Sequence, residues 1–128
     1  MFMDRFSLDL AGRDYCPVRL QGFTFEDDKG CFHAHLPGLD LTGYGESRRD
    51  AKDCLEVVLR EFFREMLQKG VLEGDLVARG WGFDDDLIWP PLDEITGVSD
   101  MLKLMKNGTK VRGFTCTIDM PYPRACAS

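Results

Sequence analysis

Phe6, Leu8 and Leu10 alternate with Ser7 and Asp9, the two-residue period of a strand with one buried face, and Ala11-Gly12 closes it. The same period returns over Arg19–Glu26, where Phe23 and Phe25 fall on one side and Thr24 and Glu26 on the other. Asp27-Asp28-Lys29-Gly30 then supplies turn chemistry, because aspartate bonds nearby backbone and glycine accepts left-handed angles. Cys31–Leu36 alternates again, so the two runs predict an antiparallel hairpin. Pro37-Gly38 ends its second strand, since proline has no N–H for a ladder, and Leu39–Tyr44 reads as a short edge strand.

At Ser47 the period changes. Ala51, Cys54, Leu55, Val58, Leu59, Phe62, Phe63 and Met66 recur at spacings of three and four, with Asp53, Glu56, Arg60, Arg64 and Gln68 on the opposite arc. Ser47 is a natural N-cap with Asp50 in the capping-box position, and Gly70 a natural C-terminal stop. The predicted helix, Arg48–Lys69, is about 33 Å long at ~1.5 Å per residue, enough to cross a small sheet. Beyond it, Val71–Val98 scatters Gly74, Gly80, Gly82, Pro90, Pro91 and Gly97 among large apolar residues. That composition predicts a connection with little regular structure, or a strand near Val77–Phe83. Ser99 is placed to cap a short helix over Asp100–Lys106, and Thr109–Met120 alternates as a last strand, with Phe114, Cys116, Ile118 and Met120 on one side.

These elements predict an α+β fold: a small antiparallel or mixed sheet of three to five strands, covered on one face by one long amphipathic helix. A chain of 128 residues fits a single domain. Its parts are an N-terminal extension (about 1–18), the hairpin and helix, an irregular elaboration (about 71–109) and a closing strand (about 110–120).

Charge narrows the range of partners. Sixteen Lys and Arg against twenty-two Asp and Glu leave −6, which disfavours unaided nucleic-acid binding and suits a basic protein partner. Asp4, Arg5, Asp9, Arg13 and Asp14 interrupt any secretion-signal core, and no apolar run approaches the roughly 18 residues of a membrane span. The five cysteines are scattered without a Cys-x-x-Cys pair, as expected for reduced thiols in the cytoplasm, and no cofactor motif is present.

The sharpest metal candidate is Cys31, His33 and His35, which share one strand face. Neighbouring members of that series stand about 7 Å apart, a poor fit to one zinc ion, so the three read first as the solvent-side polar face of the hairpin. Asp84, Asp85 and Asp86 lack the alternating spacing of a calcium loop and read as a solvated run. Asp27, Asp28, Glu46 and Asp119 are the acids from which a metal-dependent nuclease would have to be assembled, although turn and cap roles account for each. Trp81, Phe83, Ile88 and Trp89 read as core plugs ahead of interface anchors.

Two segments carry a family resemblance. Gly30-Cys31-Phe32-His33-Ala34-His35-Leu36-Pro37-Gly38-Leu39, followed by Gly45-Glu46-Ser47-Arg48-Arg49-Asp50-Ala51, resembles the HicB-like antitoxin family over about residues 22–70. The shared features are a glycine and aromatic opening the second strand, an alanine within it, a Pro and Leu ending it, and a glycine with a small hydroxyl capping the helix. Asp40-Leu41-Thr42 stands where the family usually has a Pro-Gly-Cys turn. The resemblance implies a partial ribonuclease-H-like fold and a non-catalytic role, binding and neutralising a small basic RNA-cleaving toxin. On that reading the partner surface comprises a sheet edge, the acidic positions Glu26, Asp27, Asp28, Asp84, Asp85 and Asp86, and the aromatics Trp81, Phe83 and Trp89. Two other classes stand beside it: the nuclease above, and self-association through unpaired strands such as Thr109–Met120.

Overall fold

A computed structural model of the chain describes residues 3–6, 15–83, 88–90 and 95–121. In chain order the elements are β1 (Met3–Phe6), β2 (Tyr15–Glu26), β3 (Phe32–Leu36), β4 (Leu41–Gly45), α1 (Arg48–Lys69), α2 (Leu72–Ala78), β5 (Gly82–Phe83), β6 (Ile88–Trp89), α3 (Ile95–Lys106) and β7 (Val111–Pro121). Five strands form one mixed sheet in the order β1-β7-β2-β3-β4. β1 runs parallel to β7, and every other pair is antiparallel. β5 and β6 make a separate two-residue ladder. The architecture is α+β, with the long helix packed on the sheet.

Strand alternation decides which side chains meet α1. Val18 and Leu20 of β2 pair with Ile118 and Cys116 of β7, and Thr24 pairs with Ala34 of β3, so the even-numbered residues of these strands share a face. Val18, Leu20, Ala34, Leu36, Phe114, Cys116, Ile118 and Met120 from the sheet, with Ala51, Leu55, Leu59 and Phe63 from α1, make the buried core. Phe62 and Met66 pack against its margin. Burying each Leu, Ile or Phe stabilises the fold by about 1.5–3 kcal/mol, which outweighs the weak, half-exposed Glu56–Arg60 pair (3.2 Å) on the helix's outer arc.

The helix rests almost on the backbone of β4. A Cβ on Gly43 would stand 2.3 Å from the Leu55 nitrogen and 2.4 Å from the Ala51 oxygen, and one on Gly45 would stand 2.6 Å from the Ala51 nitrogen. Only glycine permits that approach. Ser47 Oγ accepts from the Asp50 N–H (3.0 Å) to begin the helix, and Gly70, at φ 68°, ends it with N–H bonds from Gly70 to the Leu67 carbonyl and from Val71 to that of Met66.

Elsewhere the structure departs from the sequence pattern. A strand at Met3–Phe6 pairs in parallel with Thr115–Ile118; of the strand expected over Phe6–Leu10, all but Phe6 lies outside the described residues, as do residues 7–14 as a whole. β2 begins at Tyr15, because Tyr15–Val18 pairs with Ile118–Pro121. Within the supposed connection, α2 forms because Leu72 and Leu76, one turn apart, both reach the core. Strand structure near Val77–Phe83 is confined to Gly82–Phe83. α3 starts at Ile95, so Ser99 sits inside the helix rather than capping it. β7 is an interior strand between β1 and β2, paired with β2 over Val111–Pro121 and with β1 over Thr115–Ile118.

Candidate functional site

The odd-numbered residues of the hairpin face away from α1. Register sets Phe23 beside His35 and Phe25 beside His33, while on the other flank of β3 Tyr44 stands beside His33 and Thr42 beside His35. The result is a small grid of rings. Phe25 stacks flat on His33 (centroids 4.5 Å, 9° between planes), Tyr44 meets the same imidazole edge-on (4.8 Å, 72°), and Phe23 meets His35 at 5.4 Å and 60°. Such pairs contribute about 0.5–1.5 kcal/mol beyond the area they bury, and they hold each imidazole in one orientation. Lys103 and Leu104 of α3, with Asn107 just beyond its end, stand over the grid and enclose with it an open groove of about 360 Å³.

The two histidines have different partners. His35 Nδ1 lies 2.8 Å from Thr42 Oγ1, and its Nε2 lies 3.9 Å from the exposed Asp40 carboxylate. His33 Nε2 lies 2.9 Å from Asp27 Oδ2 at the hairpin tip. The other oxygen, Asp27 Oδ1, accepts from the Lys29 and Cys31 N–H groups, both at 2.9 Å, and the Asp27 N–H donates to the Cys31 carbonyl at 2.8 Å. Gly30, at φ 83°, makes the tight turn possible. The hydrogen bond with His33, then that from the Cys31 N–H, holds the Asp27 carboxyl below its ordinary value of 3.8.

This turn brings a third donor beside two that share a strand face. One ligand atom each from Asp27, Cys31 and His33 lies within 4.8 Å of the others, the one such triple of His, Cys, Asp or Glu among the described residues. The sequence-based set of Cys31, His33 and His35 is thereby corrected. Four residues of extended strand part Cys31 from His35, roughly 13 Å at ~3.3 Å each, whereas the turn folds Asp27 back onto both Cys31 and His33. Nor is this face a solvated one: the His33 and His35 side chains are only 19% and 17% exposed.

The nuclease acids do not converge. Asp119 pairs with Pro17, while Asp27 lies past the Phe25–Val111 pair at the other end of β2, a pair itself about 27 Å from Pro17 at ~3.4 Å per residue. The supposed partner residues also separate. Glu26 and Asp28 are exposed, but Asp27 is committed to the turn and to His33. Trp81 is buried at 3%, its Nε1–H donating to the Gly38 carbonyl (2.8 Å), so it is a core residue and offers a partner nothing. Trp89 is 40% exposed, its ring lying against Gly82, and Phe83 pairs with Ile88 through the backbone. Asp84, Asp85 and Asp86 lie outside the described residues.

The ring grid was not among the sequence candidates. Its signal was present: a four-residue turn between two alternating runs fixes the register, and register puts Phe23, Phe25, His33 and His35 on one face. No helix among the described residues is long and apolar enough to cross a membrane. Comparisons with protein-family models, curated proteins and solved structures find no match for this chain.

Proposed function

We propose that the domain is a non-catalytic protein-binding module of the HicB antitoxin type, which neutralises a small basic RNA-cleaving protein in the cytoplasm. The observation that carries this reading is the agreement of two stretches with the roles the resemblance gives them. Gly30 to Leu39 forms the turn, the second hairpin strand and its terminating turn, and Gly45 to Ala51 forms the edge-strand exit and the capped start of α1. The net charge of −6 supports a basic partner, since complementary fields speed encounter and reject wrong partners.

The partner meets the β4 side of the sheet. Among the described residues β4 pairs only with β3 and leaves its other edge for an added strand, and Tyr44 within it is 54% exposed. Glu26 and Asp28 at the hairpin tip and Glu46 at the helix entrance place exposed carboxylates near that edge. The test is capture from the native host, followed by titration against whatever small basic protein the adjacent reading frame encodes. A stoichiometric complex whose association slows with added salt, and which suppresses RNA cleavage, is expected. Recovery of no protein partner, or cleavage undiminished by an excess of the chain, overturns the reading.

A further inference from the structure

We propose that Asp27, Cys31 and His33 form a zinc-binding site at the tip of the β2–β3 hairpin, with three protein ligands and a fourth position taken by water. The inference rests on geometry alone and holds whether or not the domain neutralises a toxin.

The donor set is a carboxylate oxygen, a thiol sulfur and an imidazole nitrogen, a combination that suits zinc and not magnesium or calcium, which prefer all-oxygen shells. Tetrahedral zinc with bonds of about 2.0–2.3 Å requires its ligand atoms to stand roughly 3.4–3.8 Å apart. Here the His33 Nε2 to Asp27 Oδ2 separation is 2.9 Å, and no pair in the triple exceeds 4.8 Å. Side-chain rotations of under about 1 Å close the difference, with no change in the turn.

The supporting residues are already set as a metal site needs them. Asp27 is anchored through Oδ1 by two backbone N–H groups, which leaves Oδ2 directed at His33. The His33 ring is clamped between the face of Phe25 and the edge of Tyr44. Cys31 Sγ is half-buried and in weak contact with the Phe32 carbonyl at 3.6 Å, a bond easily given up. Outer partners of this kind fix ligand orientation and are worth about 10–100-fold in affinity. Loading is a proton exchange: the Cys31 thiol loses its proton to solvent as the zinc–sulfur bond forms, and the proton that His33 Nε2 shares with Asp27 leaves through solvent, either to Nδ1 of a neutral ring or outright from a charged one, which frees the Nε2 lone pair.

Calorimetric titration of the full chain with zinc at neutral pH, and absorption spectroscopy of the cobalt-loaded chain, test the site. One zinc per chain is expected, with a cobalt–thiolate charge-transfer band. That band should survive in a Cys16→Ser, Cys54→Ser, Cys126→Ser variant and vanish in Cys31→Ser. Cys31→Ser and His33→Gln should each weaken zinc binding at least about tenfold, with circular dichroism verifying that both remain folded. Absence of zinc uptake, uptake unchanged by Cys31→Ser, a band that follows the other cysteines, or equal uptake of magnesium would each overturn the proposal and leave the Asp27–His33 contact as a tie across the hairpin.

Discussion

The two faces of the sheet are built on different principles. Against α1, aliphatic side chains interdigitate until Leu36, Leu55, Leu59, Phe63 and Ile118 have no exposed surface, and two glycines of β4 let the helix settle onto the backbone. The other face carries Phe23, Phe25, His33, His35, Thr42 and Tyr44, met among the described residues by Lys103 and Leu104 of α3 and by Asn107 just beyond it, and a groove remains open. A closed apolar face supplies stability and little chemistry. The open face carries the imidazoles, the phenol and, at its end, the thiol and the carboxylate, and it is the side on which binding can occur without dismantling the core.

That contrast predicts unequal costs. Phe63→Ala removes a fully buried ring beneath α1 and should destabilise by about 3–5 kcal/mol, whereas Phe25→Ala on the half-covered face should cost about 1–2 kcal/mol; urea unfolding of both variants gives the ratio. Equal losses would show that α3 closes its face as tightly as α1 closes the other. Next in size, Gly43→Ala forces a methyl into the backbone of α1 and should cost about 1–3 kcal/mol, with loss of near-ultraviolet circular dichroism if the helix is pushed off β4. Gly74→Ala, which meets nothing within 4 Å and lies inside α2, should by contrast stabilise by about 0.5–1 kcal/mol.

The smallest effect is electrostatic and belongs to the open face. Asp27 is held below its ordinary value of 3.8, so the folded state releases its proton more readily than the unfolded chain. Its contribution is fully present above that ordinary value and is lost as pH falls through the lower folded value. An acid titration of wild type against Asp27→Asn should therefore show the two stabilities separated near neutrality and converging below about pH 4. A gap that persists unchanged into stronger acid would remove His33 and the turn amides as the cause.

Sequence pattern was most informative where structure is local. The long helix, its caps at Ser47 and Gly70, the hairpin and the core-facing side of β7 all follow from spacing within one element. Trp81 was readable as a core plug because a large ring in a glycine-rich stretch seldom stays in water. α2 escaped because seven residues hold too little of a 3.6-residue period, and Gly74 at their centre argues against a helix. The interior position of β7 and the covering of the ring grid by α3 depend on contacts across more than sixty residues, which no local pattern encodes. For the metal triple, alternation identified Cys31 and His33, but only the folded turn exchanged His35 for Asp27.

The central place of β7 governs the order in which this domain is assembled. Met3–Phe6 has no partner until Thr115–Ile118 exists, and the first half of β2 waits for the same strand. While the polypeptide is still emerging from the ribosome, the hairpin, β4 and α1 can dock, yet Val18 and Leu20 stay without their neighbours Ile118 and Cys116 until β7 has been made. The nascent domain therefore carries a strand-shaped gap between β1 and β2 until β7 is made.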